Sequence, residues 1–337
     1  MLRPLLCIPV FTLLAAPIAE NLVIKDTVGS SLRRSFDVEV SRNLDSVTQT
    51  VNGEERSGDV EESSTNSFRV VVVDHVDEVD GDRAKLFTRS FETIEGHVAR
   101  SSNIRGRSNE SEFDLISDII GQKVQFRMED GEWVAEAPDE SGVDAVYLPG
   151  FVASLDFAEM VPPDEVAVGD TWDVSLDLIQ VLTRPGGELG LHPEQQDDFS
   201  PDDILPEPER SGTITATYKG PSDDDDSLGI VELSVDVEST TDLTALMRAQ
   251  IAGAPAPPGT SLPEIQFAKR TSALEGVGTA LWDLRGHRLH SMDLTFESEE
   301  TVAQEMTVSG PGGQQADVQS SQVSSGTLAI AIAQEAL

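Results

Sequence analysis

Apolar and polar residues alternate along much of the chain. From Val231 to Glu238 every second residue is apolar and every intervening residue is polar. The same period recurs from Phe36 to Ser41, from Val124 to Glu129 and over the later part of Leu289 to Glu297. A two-residue period is typical of a strand with one buried face and one wet face. The pattern therefore predicts a mainly β protein.

The stretch from Val161 to Leu178 divides this pattern into two halves. Pro162 and Pro163 exclude a helix at its start, and Gly169-Asp170 is a turn dipeptide because glycine readily adopts positive φ. After the turn, apolar residues alternate with polar ones from Trp172 to Leu178, which predicts a strand. The stretch lies near the middle of the chain and is interpreted as the hinge between two β halves.

The two halves are predicted to comprise residues 20–160 and residues 161–337. Each contains a strand, a glycine turn and a return strand, and Gln122–Trp133 corresponds best with Thr279–Leu289. An internal duplication and a chance similarity between two hairpins both remain open. Residues 184–210 are rich in Pro, Gly, Asp and Glu, and we expect a long acidic surface loop there.

Two segments are predicted to be short helices. In Ser111–Ile120 the apolar residues Phe113, Ile116 and Ile120 have helical spacing, and Gly121 follows as a terminator. Asp242–Ile251 is the second candidate. The expected architecture is a curved antiparallel sheet that forms one or two incomplete barrels, with one or two short helices on its concave face.

The charge balance limits the range of partners. The 337 residues include 61 Asp and Glu but only 23 Lys and Arg, which gives a formal net charge of -38. Nucleic acids and anionic membrane surfaces need positive patches, so neither is an expected partner. Self-repulsion that keeps the protein soluble is one interpretation. Adaptation to high salt, as in a halophilic organism, is the interpretation that we favour.

Residues 1–19 have the features of a secretory signal peptide. Arg3 precedes an apolar run from Leu5 to Ala16, and small residues follow up to Ala19. An uncleaved N-terminal anchor is the alternative. Cys7 is the single cysteine, so the mature chain would have no thiol, which suits an exported bacterial protein, periplasmic or extracellular. No later stretch is long enough to span a membrane as a helix.

The sequence contains no recognisable catalytic or cofactor-binding motif. A G-x-S-x-G elbow, a P-loop, a G-x-G-x-x-G loop and an H-E-x-x-H pair are all missing. The acidic runs Asp74–Asp82 and Asp223–Asp226 lack the ligand spacing of a calcium loop. The prediction is therefore a non-enzymatic protein with no catalytic residue, no metal site and no cofactor.

One resemblance extends over Gly121 to Leu178. It comprises a helix, a Gly-x-x-Val-x-Phe hairpin with Asp130-Gly131, and then Pro-x-x-x-Val-x-Val-Gly-Asp-Thr-Trp up to Trp172. This pattern resembles an uncharacterised family of exported bacterial proteins with a Val-Gly-Asp-x-Trp turn, and the later Gly278–Leu289 segment is similar to that family's closing hairpin. More distantly, the layout resembles the LolA/LppX-type lipoprotein and lipid carriers. That resemblance implies a half-barrel around a hydrophobic cavity, with helices as a lid.

Three functional hypotheses follow. A large sheet must bury its apolar face, and two short helices do not suffice, so a residual apolar cavity is expected. The first hypothesis is an exported protein that binds a hydrophobic ligand or a segment of another exported protein. The second is a structural, envelope-associated β protein without a ligand, and the third is a hydrolase. The residues that we expect to line the cavity are Phe126, Met128, Leu294 and Phe296.

Overall fold

The computed structural model describes residues 19–57, 60–104, 106–139, 141–193, 206–253, 262–309 and 314–337. The predicted signal segment, except Ala19, and residues 194–205 of the predicted acidic loop lie outside these ranges. The described residues form two α-helices and a 14-stranded sheet. The helices are α1, Leu178–Thr183, and α2, Thr244–Gly253. The strands are β1 Ser31–Val51, β2 Glu54–Ser57, β3 Val60–Asp80, β4 Arg83–Ile104, β5 Arg107–Ile116, β6 Lys123–Glu129, β7 Glu132–Glu136, β8 Thr171–Val174, β9 His192–Pro193, β10 Glu209–Pro221, β11 Leu228–Asp242, β12 Glu264–Asp283, β13 Arg288–Ser309 and β14 Gln315–Ala336.

The strands form one continuous antiparallel sheet. Their main order is β7-β6-β4-β3-β1-β14-β13-β12-β11-β10-β8, with β2 paired to β1 and β5 paired to both β4 and β9. The first and last long strands pair from Leu32 opposite Ala336 to Val51 opposite Val318, so the two halves of the chain meet along β1 and β14. The sheet is curved and does not close. The predicted mainly β fold with a curved antiparallel sheet is confirmed.

Alternation gives the sheet a buried inner face and an exposed outer face. Val38, Ile330 and Leu294 are register neighbours on β1, β14 and β13, and all three are buried. Directly opposed side chains of an antiparallel pair point to the same face, whereas chain neighbours point to opposite faces. Asp37 and Asp293, each one residue away, are accordingly exposed. The outer face thus carries much of the acidic surface.

Residues 141–191, which we call the plug, cover much of the inner face. Phe157 of the plug packs against Phe36 of β1, with 6.3 Å between ring centroids. Phe151 stacks on Phe91 of β4 at 5.5 Å. Helix α1 belongs to the plug and has buried apolar residues around most of its circumference. Much of the expected hollow is therefore occupied by this irregular segment of the chain itself.

The predicted helix at Ser111–Ile120 is wrong. Residues up to Ile116 belong to β5, which pairs with β4 from Arg107 opposite Ile104 to Leu115 opposite Gly96. The apolar positions fit a helix as well as a strand, and the free hydrogen-bonding edge of β4 decides between them. By contrast, the predicted helix at Asp242–Ile251 is confirmed as α2. The Asp242 carboxylate accepts a hydrogen bond of 2.8 Å from the Thr244 amide at its start.

The strand predicted to run from Trp172 to Leu178 is shorter than expected. Strand β8 ends at Val174, which is its last register partner on β10, and α1 begins at Leu178. Four of the six residues of α1 are apolar, and these four are buried between the sheet and the rest of the plug. Such a run does not distinguish a buried helix from a strand by period alone.

Candidate functional site

A pocket of about 260 Å³ opens on the inner face where the apolar rows of the sheet give way to polar ones. We call it the arginine pocket, because Arg42, Arg184, Arg210 and Arg270 all line it. Its apolar side is formed by Val38, Val40, Leu274 and Leu328 of the sheet and by Ile179 of α1.

The strand registers explain why three of the arginines converge. Arg42 follows Val38 and Val40 at alternate positions of β1, so its side chain shares their inner face. Arg210 on β10 is opposite Ser239 on β11, which in turn is opposite Ser272 on β12. Arg270 lies two residues before Ser272 on the same face. The sheet curvature then brings these cationic positions around one cavity.

The end of α1 supplies the wall that faces the sheet. Ile179 and Thr183 are one helical turn apart and both line the pocket. The Thr183 hydroxyl donates a hydrogen bond of 2.7 Å to the Ile179 carbonyl oxygen, which holds this last turn together. Arg184 follows immediately and forms an ion pair of 2.7 Å with Glu188.

The arginine charges are only partly neutralised. Arg42 lies 3.4 Å from Glu300, and Glu299 also borders the pocket. The guanidinium of Arg270 forms no hydrogen bond or ion pair with any described residue, and the buried Nε of Arg210 has no hydrogen-bond partner among them either. The pocket is thus a cationic location in a strongly anionic chain.

Burial lowers the pKa of the Arg270 guanidinium from its ordinary value. Glu300 acts in the opposite direction, and the nearby charges of Arg184 and Arg42 lower this pKa further. A guanidinium nevertheless stays protonated at any physiological pH, because its ordinary pKa is above about 12. Arg270 is therefore a charged donor that is partly removed from water and close to other cations.

Such an arrangement suits a compact oxyanion. A guanidinium presents parallel N–H donors that match the two oxygens of a carboxylate or a phosphate. The volume of the pocket is slightly below the range of about 300–1,000 Å³ that is usual for ligand pockets. It therefore accommodates a small group or one end of a longer molecule.

The four residues predicted to line a cavity lie in two separate places. Phe126 of β6 stacks on Phe87 with 4.9 Å between ring centroids, and Met128 is half-buried opposite Trp133 in the β6–β7 hairpin. Leu294 and Phe296 are on β13, with β4, β3, β1 and β14 between the two sites. None of the four lines the arginine pocket. Their role as ligand contacts stays a prediction.

The sequence did carry a signal for the arginines that was not recognised. Arg42 continues the apolar phase of Phe36, Val38 and Val40, and Arg210 is in phase with Ile214 and Ala216. A charged residue in the buried phase of an amphipathic strand points inward with its neighbours. In a chain with so few basic residues, such positions are informative.

A larger depression of about 890 Å³ is lined by residues of six strands. Its lining includes consecutive triplets such as residues 37–39 and 293–295, in which both outer-face positions are acidic or polar. Near one end, Ile116 and Ile120 are exposed. This depression contains few cationic groups, chiefly Arg69, which is 3.7 Å from Asp37, and His97, which pairs with Asp114.

Two further observations concern metals and membranes. Within the described ranges, no group of three or more His, Cys, Asp and Glu side chains is arranged to share a metal ion. Of the helices described, none has both the length and the apolar character needed to cross a membrane.

Comparison with protein-family models and with curated proteins found no match. Among solved structures, the chain is similar to the crystal structure of the outer membrane protein OprG from Pseudomonas aeruginosa. The identity is 9%, and the similarity covers 92% of this chain and 99% of that one, with a TM-score of 0.20. A TM-score this low carries no argument about the fold or the function of this chain.

Proposed function

We propose that this chain is an exported, non-enzymatic binding protein that holds part of a small or amphipathic ligand in the arginine pocket. The observation that carries the proposal is the pocket itself, a cavity of about 260 Å³ between α1 and the inner face of the sheet. It combines an apolar wall with a larger set of polar and charged side chains, which can fix the orientation of a ligand by hydrogen bonds.

The sequence provides further support. Residues 1–19 have the pattern of a secretory signal, which favours a periplasmic or extracellular location in a bacterial envelope. The resemblance to the half-barrel carriers also favours a hydrophobic ligand on the concave side. The plug leaves less space than an open half-barrel, so the ligand we propose is smaller than a whole lipid or lipoprotein.

A structural role without a ligand is the second candidate. The observation in its favour is the packing of the plug, since Phe157, Leu178 and Leu182 are fully buried against the inner face. If the role is structural, the arginine pocket is a water-filled space at the edge of the hydrophobic core and binds no ligand. The third hypothesis, a hydrolase, has no arrangement of described residues in its favour.

Binding of medium-chain ligands tests the proposal. The protein is purified without detergent and titrated by calorimetry with decanol and with decanoate. We expect saturable binding of at least one of the two. The variant Ser272→Trp places a large ring at the pocket wall, and we expect it to weaken binding by about tenfold or more.

The matched control is Thr279→Trp, which places the same ring on the exposed outer face of the same strand. It should bind like the original protein. If neither decanol nor decanoate binds, or if both tryptophan variants bind as well as the original, the pocket is not a ligand site and the structural role is favoured.

A further inference from the structure

The arginine pocket differs from the other place where arginines are buried. Arg34 and Arg89 both lie on the inner face, and both donate to the Asp74 carboxylate. Arg89 also donates to two backbone carbonyl oxygens of the plug, at 2.7 and 2.8 Å. Where the fold buries a guanidinium for packing, it therefore supplies acceptors from its own chain.

In the arginine pocket the described residues do not supply enough acceptors. Arg42 has Glu300 and Arg184 has Glu188, but Arg270 and the Nε of Arg210 have no described partner. Carboxylates are abundant in this chain, with 61 Asp and Glu residues, so the shortage of acceptors among the described residues is local. Unpaired donors that are partly removed from water favour an acceptor from outside the chain.

The surrounding charges restrict which acceptor fits. Four guanidiniums face a pocket that Glu300 and Glu299 also border, so the local excess of positive charge is small. Arg42 and Arg184 are close enough to Arg270 to repel its charge. An anion between these groups would remove that repulsion and would accept hydrogen bonds from several of them.

The apolar wall beside the guanidiniums indicates what is attached to the anion. Val38, Val40 and Leu328 lie on the same inner face as Arg42 and border the same cavity. A ligand with an anionic head among the arginines would place its next atoms against this wall. A free inorganic anion would leave the wall in contact with water.

We propose, on the basis of the proposed binding function, that the arginine pocket recognises the oxyanion head of an amphipathic ligand, a carboxylate or a phosphate monoester on an apolar chain. Arg270 and Arg210 are the direct partners of the head. Arg42, held by Glu300, and Arg184, held by Glu188, contribute positive charge at its sides. Val38, Val40 and Leu328 contact the first carbons of the chain.

Calorimetric titrations with matched ligands test this proposal. The ligands are decanoate, decyl phosphate, decanol, acetate and inorganic phosphate, all in the same buffer with the full-length protein. We expect decanoate or decyl phosphate to bind at least about tenfold more tightly than decanol, because each charge-assisted hydrogen bond adds to affinity. Acetate and inorganic phosphate should bind more weakly than their decyl counterparts, because they do not contact the apolar wall.

Substitutions at Arg270 and Arg210 provide the second arm. We expect Arg270→Gln and Arg210→Gln each to weaken binding of the decyl anion by about tenfold and to leave decanol affinity within about twofold. Arg270→Lys should restore part of the loss, since it keeps the charge without the planar fork. Arg285→Gln removes an exposed arginine outside the pocket and is the control for the change in net charge.

The outcomes separate this inference from the proposed function. If decanol and decanoate bind equally well and neither arginine variant changes their affinity, the pocket does not recognise an anionic head. The proposed binding function would still stand. No binding of any decyl ligand would overturn both. If inorganic phosphate binds as tightly as decyl phosphate, the proposal that the pocket wall contacts an apolar chain is wrong. Thermal unfolding of each variant shows whether it is folded. If one of the two arginine variants is misfolded, the binding measured with the other variant decides the result.

Discussion

Arg89 of β4 and Asp74 of β3 are direct register partners, and two hydrogen bonds of 2.7 and 2.8 Å join them on the inner face of the sheet. Arg34 of β1 donates to the same carboxylate. The remaining donors of Arg89 reach the carbonyl oxygens of Val152 and Ala153. One carboxylate therefore links three strands, and through Arg89 it also links them to the plug.

Asp74→Ala should destabilise the protein strongly. The substitution leaves two buried guanidiniums without their acceptor, and breaking a buried ion pair in this way typically costs about 3–5 kcal/mol. The free energy of unfolding from urea titration measures the effect. Asp37→Ala is the control, because its ion pair with Arg69 is exposed and should contribute less than about 1 kcal/mol. Similar losses in the two variants would contradict a special role for Asp74.

Gly326→Ala should weaken the junction between β1 and β14. A Cβ at this position would lie 1.8 Å from the Ser41 carbonyl oxygen, which is a backbone atom and cannot turn aside. We expect a loss of about 1–3 kcal/mol, as for other overpacked sites. Thr327→Ala on the exposed face of the same strand is the control. An unchanged unfolding midpoint for Gly326→Ala would show that the two strands separate easily.

Glu159→Gln should stabilise the protein near neutral pH. Burial raises the pKa of the Glu159 carboxyl, the nearby Asp156 and Asp177 add to this effect, and its Oε2 has no hydrogen-bond partner among the described residues. Because the folded state resists ionisation, the original protein loses stability as the pH rises through the raised pKa. Glutamine removes that loss.

Thermal unfolding at about pH 7 and about pH 3.5 measures this difference. At the lower pH the glutamate is protonated in both the folded and the unfolded state, so the two proteins should have similar midpoints. Glu165→Gln changes the net charge equally at an exposed position and is the control. A gain that is the same at both pH values would contradict the assignment to ionisation of Glu159.

Trp172→Phe should loosen the contact between β8 and the preceding part of the plug. The Trp172 indole Nε1 donates a hydrogen bond of 3.0 Å to the Met160 carbonyl oxygen. Phenylalanine keeps an aromatic ring but has no donor, so we expect a loss of about 1 kcal/mol in the free energy of unfolding. Thr171→Val, at the exposed neighbouring position, is the control. If only the control destabilises, the contribution comes from strand pairing and not from the indole.

The predicted turn at Gly169-Asp170 is confirmed. Gly169 has a φ of 94°, and the Asp170 carboxylate accepts a hydrogen bond of 2.8 Å from the Ala167 amide. Gly169 and Asp170 also exchange backbone hydrogen bonds with Tyr218 of β10. Glycine and aspartate specify such a turn locally, so the sequence suffices to recognise it.

By itself the sequence determined the strands with clear alternation, their buried phase and the tight turns. Each of these depends on neighbours within a few residues, as the alternation from Val231 to Glu238 shows. It did not determine whether Ser111–Ile116 would be a helix or a strand, because the hydrogen-bonding edge of β4 that decides this is remote in sequence.

The site likewise required the tertiary structure. Arg42, Arg210 and Arg270 are far apart along the chain, and only the registers of β1, β10 and β12 with their neighbours bring them to one cavity with Arg184. How much of the inner face the plug would fill was also undecided, because the fit of an irregular segment depends on contacts with strands from both halves. Local patterning thus fixes which side chains point inward, whereas long-range pairing decides which of them meet.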